Sequence, residues 1–371
     1  MNLKSRGTSV TQSDDRVVLA AAGSGKTTTA VKLACENAEK RTALITYTLN
    51  GRSELEARAY REFGAVPSQV TISTWYSFVL THFVRPYQNH LHERRVDTIN
   101  FERAPTSRRR FRKGQVEGYY FSSPKRIWSD RATDFACNVV DKTGGLPIGR
   151  LQGVFDRIIV DEAQDLAGWD LELIEHLFQS DVEVALIGDH RQATFSTNDN
   201  PKNRQFAGEK IIEKFAEWER GGLVMIEHQS HSHRCVQGIC DFADQFFPDC
   251  EPTTSYNEEV TGHDGVCLVR QGDVERYFEA FAPQTLQWSK AGIGRVGNPL
   301  NFGDSKGMTF ERVLIYPHAK FQKFLKTGRM ELEGQSKTKT YVAVTRARQS
   351  VAIVVPDNFA PKVGAFFEFP D

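Results

Sequence analysis

A glycine-rich turn near the start of the chain carries the strongest chemical signal. The segment VVLAAAGSGKTTTA places Gly23 and Gly25 between an apolar run and a helical stretch that opens with Lys26 and Thr27. Glycines let the backbone wrap around an anion, and the amides at a helix start favour negative charge. The turn is therefore predicted to bind a nucleoside triphosphate, with Lys26 at its β and γ phosphates and Thr27 on Mg²⁺, although Ala20 replaces the first glycine of the general pattern. The residues expected to bind the nucleotide are Ala22, Gly23, Ser24, Gly25, Lys26, Thr27 and Thr28.

Two adjacent carboxylates follow a second apolar run. The segment RIIVDEAQDL delivers Asp161 and Glu162 at the end of a predicted strand, where ligands bind in open α/β sheets. We expect Asp161 to bind Mg²⁺ together with Thr27, directly or through water. Glu162 is expected to orient and polarise the water that attacks the γ phosphate. Taken alone, adjacent acids after a strand are also typical of an ordinary turn.

The elements that must position these residues alternate between strands and helices. Apolar strand-like runs occur at 17–20, 42–47, 69–73, 157–161, 182–188 and 222–227, and again at 265–270, 312–317 and 350–356. Helical stretches at 27–40, 235–247 and 338–347 lie between them. This pattern predicts an α/β fold with parallel sheets covered on both faces, and 371 residues suffice for two domains. The predicted division is a first domain at 1–80 and 150–222, an inserted basic subdomain at 81–149, and a second domain at 223–371.

The predicted insertion contains a strongly basic segment. From Arg103 to Arg131 there are nine lysines and arginines but only two acids, and five aromatic residues lie among them. Cations interleaved with aromatic rings are typical of a surface that binds single-stranded nucleic acid, although a solvated basic surface fits the composition equally well. The chain as a whole is neutral, with 47 basic and 47 acidic residues, so any such binding must be local. The expected contacts are Arg108, Arg109, Arg110 and Arg112.

The series of motifs resembles the superfamily 1 helicases of the UvrD, Rep and PcrA type, and the resemblance covers nearly the whole chain. The segments at 46–59 (TYTLNGRSELEARA) and 73–79 (STWYSFV) are similar to the strand-binding segments of that family. Motifs II to VI are resembled by DEAQD (161–165), LIGDHRQATF (186–195), SHRC (232–235), GDSKGMTFERVLI (303–315) and YVAVTRAR (341–348). The resemblance implies two RecA-like P-loop domains, with ATP and Mg²⁺ bound between them.

The resemblance also implies roles for residues outside the phosphate loop. Gln192 would couple the γ phosphate to the nucleic acid, and Arg234 and Arg346 would reach that phosphate from the second domain. His233 would pack on the adenine, and Gly307 would also contact the nucleotide. The implied DNA-binding residues are Thr46, Tyr47, Thr48, Asn50, Thr74, Trp75, Tyr76, Phe195, Ser305 and Lys306. An alternative for the histidine-rich segment is a metal site made by His228, His231, His233 and Cys235.

Two departures from the family pattern shape the functional prediction. Thr197 stands where large relatives have a base-stacking tryptophan, and only about 70 residues separate Arg234 from Lys306, where those relatives insert a further subdomain. We therefore predict a compact DNA-dependent ATPase, a helicase-like motor that translocates on or remodels single-stranded DNA or a single-strand/duplex junction. The resemblance implies 3′ to 5′ polarity, and a protein partner such as a nuclease would supply what the compact chain lacks.

Two other functions are compatible with a phosphate loop. One is a nucleotide-controlled, DNA-sensing regulatory subunit without unwinding activity. The other is a small-molecule kinase, which leaves motifs IV to VI unexplained. The sequence has no apolar run of about 18 residues and no signal-peptide pattern, so it predicts a cytoplasmic protein that does not bind membranes.

Overall fold

Two parallel β-sheets, one in each half of the chain, organise the protein. The computed structural model describes residues 14–102, 110–195, 200–289 and 295–369. The strands are β1 (Arg16–Ala20), β2 (Thr42–Thr46), β3 (Val70–Thr74), β4 (Thr98–Asn100), β5 (Phe121–Ser123), β6 (Arg126–Trp128), β7 (Arg157–Asp161), β8 (Glu183–Gly188), β9 (Met225–Gln229), β10 (His231–Ser232), β11 (Thr254–Ser255), β12 (Gly265–Arg270), β13 (Gln284–Gln287), β14 (Leu300–Asn301), β15 (Phe310–Tyr316), β16 (Ala347–Val355) and β17 (Ala365–Phe366). The predicted α/β class with parallel sheets is confirmed.

The helices cover the faces of these sheets. They are α1 (Lys26–Cys35), α2 (Leu49–Phe63), α3 (Trp75–Val79), α4 (Val116–Tyr120), α5 (Ser129–Lys142), α6 (Leu146–Gln152), α7 (Trp169–Phe178), α8 (Ile211–Arg220), α9 (Gln237–Asp244), α10 (Val274–Phe281), α11 (Ala319–Thr327) and α12 (Gln335–Val344). A π-helical turn, Leu80–Val84, continues α3. None of the helices within the described ranges combines the length and the apolar character needed to cross a bilayer.

The first sheet has the strand order β3-β2-β7-β8-β1-β9, with every neighbouring pair parallel. This order places the ends of β1 and β7, which carry the phosphate loop and the two predicted catalytic acids, on the same edge. β9 pairs with β1, with Met225 opposite Arg16. The last strand of the first sheet therefore lies beyond residue 222, where the predicted first domain ends.

The two faces of the first sheet bury alternate residues of its strands. Val17 contributes to a core shared with α3, α5 and α7, whereas Val18 contributes to a core shared with α1 and α2. Phe83 and Phe135, which lie in the predicted insertion, belong to the same core as Val17. The small sheet β4-β6-β5 contributes Ile99, Phe121 and Ile127 to the same core, so the insertion packs as part of the first domain. The limits of the three predicted regions stay predictions.

The second sheet has the order β14-β13-β15-β16-β12-β17 and is also parallel. One face packs against α9, α11 and α12, and the other packs against α10. β13 was absent from the sequence prediction because its residues, QTLQ, are mostly polar. Its backbone pairs with β15 nonetheless, with Leu286 opposite Ile315.

Asp170, in the first turn of α7, joins separate parts of the first domain. This carboxylate is 1% exposed and accepts hydrogen bonds from the Tyr47 hydroxyl at 2.8 Å and the Trp75 indole nitrogen at 2.9 Å. The Thr133 hydroxyl of α5 donates a further bond at 2.6 Å. Because Tyr47 follows β2 and Trp75 follows β3, one buried acceptor fixes the ends of two neighbouring strands.

We expect Asp170→Ala to lower the free energy of unfolding by about 3 kcal/mol or more, because each buried donor that loses its acceptor costs ~1–3 kcal/mol. Urea denaturation followed by circular dichroism measures the loss. Asp249→Ala removes an exposed carboxylate and is the control. A loss no larger than that of the control would contradict this structural role.

Candidate active site

The phosphate loop lies between β1 and α1, as the sequence predicts. Gly23 and Gly25 have φ of 80° and 86°, values that glycine adopts without strain. A Cβ at Gly23 would lie 2.6 Å from both the Arg234 Cβ and the Ser232 Oγ. The His233 amide donates to the Gly23 carbonyl at 2.9 Å. The loop therefore contacts the segment predicted as motif IV directly, and only glycine leaves room for that contact.

The interior of the loop is polar and fits phosphate oxygens. The Lys26 ammonium is buried and donates to the carbonyls of Ala21 at 3.2 Å and Ala20 at 3.4 Å. Burial lowers the pKa of Lys26, and the nearby carboxylate of Asp189, 4.0 Å away, opposes that shift. The Ser24 hydroxyl is buried and has no hydrogen-bond partner among the described residues. A bound phosphate would satisfy these donors better than the carbonyls do.

Thr27 and Asp161 meet where β7 ends. The Thr27 hydroxyl donates to the Asp161 carboxylate at 3.5 Å. Burial raises the pKa of Asp161 to about 7, and the charge of Glu162 adds to the effect. A divalent cation beside Asp161 would stabilise its charged form. The oxygen atoms of Thr27 and Asp161 are thus suitable ligands for the predicted Mg²⁺ ion.

Glu162 occupies a strained backbone position beside these groups. Its φ is 59°, in the left-handed region that few non-glycine residues adopt, and its amide donates to Asp161 Oδ1 at 3.0 Å. Its carboxylate accepts a hydrogen bond from the Gln164 amide and lies 3.1 Å from the Lys306 ammonium. Burial opposes ionisation, but Lys306 and Lys26 outweigh it, so the pKa of Glu162 lies below its usual value. Glu162 is therefore a carboxylate held by a cation.

Lys306 reaches this acidic group from the second half of the chain. Its ammonium is also 2.9 Å from Asp165 Oδ2, and only 13% of its side chain is exposed. Burial raises the pKa of Asp165 to about 6, which the Lys306 charge partly offsets. Lys306, which was predicted to contact DNA, is thus paired with two carboxylates in this structure, and its contact with DNA stays a prediction. Ser305 is likewise fully buried, and its hydroxyl donates to the Phe302 carbonyl at 2.7 Å.

A second connection between the halves runs through Gln192 and Arg346. The Gln192 side chain donates a hydrogen bond from Nε2 to Asp189 Oδ2 at 2.8 Å, and its Oε1 accepts one from Arg346 Nη2 at 3.0 Å. Arg346 is 1% exposed, and its other donors bind the carbonyls of Val342 and Met308. Within the described ranges no carboxylate forms an ion pair with it. Burial, together with the charge of Arg234, lowers the pKa of Arg346 to about 9.

Arg234 completes the set of cations beside the phosphate loop. Its guanidinium donates to the Thr345 carbonyl at 3.1 Å, next to Arg346, and forms no ion pair with a carboxylate in the part of the chain that the structure describes. The side chain is half-buried, and its Cβ packs against Gly23. The structure thus brings Lys26, Arg234 and Arg346 to one cleft. Their separate catalytic roles stay predictions.

Some residues of this cleft were not identified from the sequence. Asp189 accepts from Gln192 and from Arg191 Nε at 2.9 Å, and the positive charges around it hold the pKa of this buried carboxyl below its usual range. Arg191 also lies 3.5 Å from Asp244 and over the Tyr341 ring, at 5.1 Å from its centroid. Asp189 follows β8, the strand beside β7, so the rule that pointed to Asp161 could have found it too.

The predicted nucleic-acid residues of the first domain are only partly accessible. Trp75 is fully buried against Asp170, so the prediction that it contacts DNA is wrong for this conformation. Thr46 and Thr74 are also buried, at the ends of β2 and β3. Thr48 caps α2 by accepting from the Gly51 amide at 2.9 Å. The remaining residues are at least partly exposed, namely Tyr47, Thr48, Asn50, Tyr76 and Phe195.

The basic segment is divided between surface and core. Arg110 and Arg112 are exposed, and Arg108 and Arg109 lie outside the described residues, as does Thr197. Lys113 pairs with the buried carboxylate of Asp134 at 2.7 Å, and Arg131 lies 3.7 Å from the same residue. Lys113 and Arg131, two of the nine cations of this segment, therefore form ion pairs with a buried carboxylate of the protein itself.

The remaining predicted contacts lie at the edge of the cleft. His233 is exposed, and its ring is 5.1 Å from that of His231 and 5.2 Å from that of Tyr256. Gly307 has φ of 85°, and open space surrounds the position that a Cβ would occupy. Across the described ranges, no three histidine, cysteine, aspartate or glutamate side chains are grouped so that they could hold a metal ion. The alternative of a histidine-rich metal site thus has no support in the geometry.

Comparison with known proteins supplies the family. The model of the AAA domain matches residues 7–198, and that of the viral superfamily 1 RNA helicase core domain matches residues 137–355. No curated protein matches the chain. The similar solved structures include an arterivirus non-structural protein 10 helicase, at 15% identity and a TM-score of 0.47 over 93% of this chain and 60% of that one.

Two further solved structures have the same degree of similarity. A PRRSV helicase is 16% identical, with a TM-score of 0.44 over 93% of this chain and 53% of its own. A complex of the arterivirus helicase with DNA is 16% identical, with a TM-score of 0.45 over 93% and 61%. The chain thus spans between about half and three fifths of the length of these structures.

Each of the two family models covers more than half of the chain. The chain belongs to the superfamily 1 helicases.

Proposed function

We propose that the protein is an ATPase of the helicase type, which uses ATP hydrolysis to move along or remodel single-stranded nucleic acid. The observation that carries this proposal is the buried hydrogen bond between Gln192 and Arg346. It links the carboxyl edge of the first sheet, beside the phosphate loop, to the junction of α12 and β16 in the second half. A change of charge at this contact would alter how the two halves pack together, which is how such proteins convert hydrolysis into motion.

In this proposal each residue of the cleft has a separate role in binding or hydrolysing ATP. The backbone amides from Gly23 to Lys26 and the Ser24 hydroxyl would bind the phosphates, and Thr27 and Asp161 would hold Mg²⁺. When bound, Mg²⁺ neutralises charge on the β and γ phosphates. The Glu162 carboxylate would orient the attacking water and accept its proton. Arg234 and Arg346 would stabilise negative charge on the γ phosphate, and His233 would pack on the adenine.

Lys306 connects nucleic acid to hydrolysis in this proposal. Its ammonium binds the carboxylates of Glu162 and Asp165, which weakens Glu162 as a base. A phosphate of a bound strand is an anion and would compete for the same ammonium. When a strand phosphate binds the Lys306 ammonium, the ion pair with Glu162 would break and the pKa of Glu162 would rise. The Glu162 carboxylate would then be free to turn toward the attacking water. Strand binding would thus stimulate hydrolysis.

The substrate that we propose is single-stranded DNA, with 3′ to 5′ movement, as the resemblance to UvrD-type helicases implies. The matching family model names RNA helicases, and one similar solved structure is a complex with DNA. The test is the ATPase rate with single-stranded DNA, duplex DNA and RNA, together with displacement of a block from 3′ and 5′ overhangs. A protein partner, such as a nuclease, would extend this activity to duplex. Stimulation by RNA alone would refute the proposed substrate.

A nucleotide-controlled, nucleic-acid-sensing subunit is the second candidate. The specific observation in its favour is that both Lys306 and the Gln164 amide bind Glu162, an arrangement suited to slow turnover. The two candidates differ in the behaviour of the strand-bound protein. A motor displaces an end-bound block at a rate that depends on ATP turnover, whereas a sensor binds the strand and turns over slowly without displacement.

We expect Lys26→Ala and Glu162→Gln to abolish steady-state ATP turnover. Lys26→Ala should also weaken nucleotide binding, because a buried ammonium in the loop is lost, whereas Glu162→Gln should bind nucleotide nearly as well as the unaltered chain. Phosphate release and fluorescent-nucleotide titration measure the two properties. Glu258→Gln, at an exposed position, is the control. Full turnover in Glu162→Gln would remove Glu162 from the catalytic assignment.

We expect Lys306→Gln to raise the ATPase rate without nucleic acid several-fold and to remove most of the stimulation by single strand, because Glu162 loses the cation that lowers its pKa. Lys306→Arg, which keeps the charge, should retain the low basal rate. The measurement is the ATPase rate across a titration with single strand. A basal rate and a stimulation that both match those of the unaltered chain would contradict the coupling role.

A further inference from the structure

Trp288 is an exposed indole at the carboxyl edge of the second sheet. It follows β13 directly, and 37% of its surface is exposed. The other tryptophans are more enclosed, since Trp75, Trp128 and Trp218 are buried and Trp169 is partly buried. One edge of the Trp288 ring is supported, because its centroid lies 4.6 Å from that of His318 and 6.2 Å from that of Phe302. The indole is therefore held in place while part of it faces solvent.

One cation lies near this ring, and two more lie beside its neighbours. The Lys339 ammonium lies 5.4 Å from the Trp288 ring centroid, and Lys339 forms no ion pair with a carboxylate in the described ranges. Lys320, in the first turn of α11, is exposed near His318. Arg295 donates to the Gln287 side chain, adjacent to Trp288 in the chain. An exposed aromatic ring beside an ammonium group matches the composition of a site for an unpaired nucleotide.

The position of Trp288 makes it continuous with the predicted strand-binding turn. Phe302, which contacts the indole, accepts the hydrogen bond from the Ser305 hydroxyl and lies in the same turn as Lys306. A Cβ at Gly303 would lie 3.6 Å from the Lys339 side chain, so Lys339 packs on this turn as well. Lys306 in turn lies 5.9 Å from the ring of Phe195, an exposed aromatic residue of the first domain. An aromatic residue thus flanks the turn on each side.

We propose that Trp288 and Lys339 form a nucleotide subsite on the second domain. The base of an unpaired nucleotide would stack on the exposed part of the indole, and its phosphate would contact the Lys339 ammonium. The subsite rests on the proposed function, and it adds a base-binding position that none of the sequence motifs identified. It supplies a stacking surface that Trp75, buried in the first domain, does not offer. Stacking of this kind tolerates any base, because every base has a π face.

The test is equilibrium binding of fluorescein-labelled single strands, an oligo-dT and an oligo-U of equal length, by anisotropy at fixed salt. Trp288→Ala should raise the Kd about tenfold or more, because a stacked base contributes ~1–3 kcal/mol and 1.4 kcal/mol is a factor of ten. Trp288→Phe keeps a ring and should lose less. Phe63→Ala removes an aromatic of similar exposure, 39%, at the end of α2 and is the matched control. Lys339→Gln should flatten the salt dependence of binding, because one phosphate contact is lost.

The outcomes separate the subsite from the proposed function. If the unaltered chain binds single strand and Trp288→Ala binds it equally tightly, the subsite is overturned and the proposed function stands. If the unaltered chain binds neither oligomer, both are overturned. If Trp288→Ala does not fold, the test is the change in intrinsic tryptophan fluorescence on strand binding, compared between the unaltered chain and Trp288→Phe. Strand binding should quench the emission of the unaltered chain more than that of Trp288→Phe, and equal quenching would overturn the subsite. A loss confined to one oligomer supports the subsite and identifies the polymer that it binds.

Discussion

A buried guanidinium that forms no ion pair with any described carboxylate is the constraint on which the cleft depends. Among the residues that the structure describes, Arg346 donates to neutral groups alone, the carbonyls of Val342 and Met308 and the side-chain oxygen of Gln192. Removing such a charge from water is costly unless an anion compensates it. Arg234, beside it, also donates to a carbonyl. A site with this much unneutralised positive charge favours a ligand with several negative charges, which is why a triphosphate fits it.

The acidic side of the cleft has the complementary arrangement. Burial raises the pKa of Asp161 to about 7, and Mg²⁺ would favour its charged form. Glu162 remains charged because Lys306 compensates it, in a backbone conformation with φ of 59° that the surrounding structure must enforce. Asp161 could therefore bind a cation, whereas Glu162 already forms an ion pair with Lys306. This asymmetry explains how two adjacent carboxylates can take different parts in one reaction, as metal ligand and as base.

The sequence predicted most of the strands that carry the site, because buried parallel strands read as apolar runs. RIIVD and GVCLVR coincide with β7 and β12, and the phosphate loop comes directly after β1 as expected. β13 was missed because its polar residues are buried by tertiary packing, which no local pattern records. Trp75 was misassigned for a similar reason, since its burial depends on Asp170, 95 positions away. The ion pair of Lys306 with Glu162 likewise joins residues that only folding brings together.

Binding of a transition-state mimic tests the central claim, that the γ phosphate lies between the two halves of the chain. The probe is ADP with Mg²⁺ and aluminium fluoride, compared with ADP and Mg²⁺ alone, on the unaltered chain and on Arg346→Ala. If Arg346 contacts the γ position, its loss should weaken binding of the fluoride complex by about 10³-fold or more and leave the affinity for ADP nearly unchanged. Equal affinities of the two chains for the fluoride complex would contradict the account.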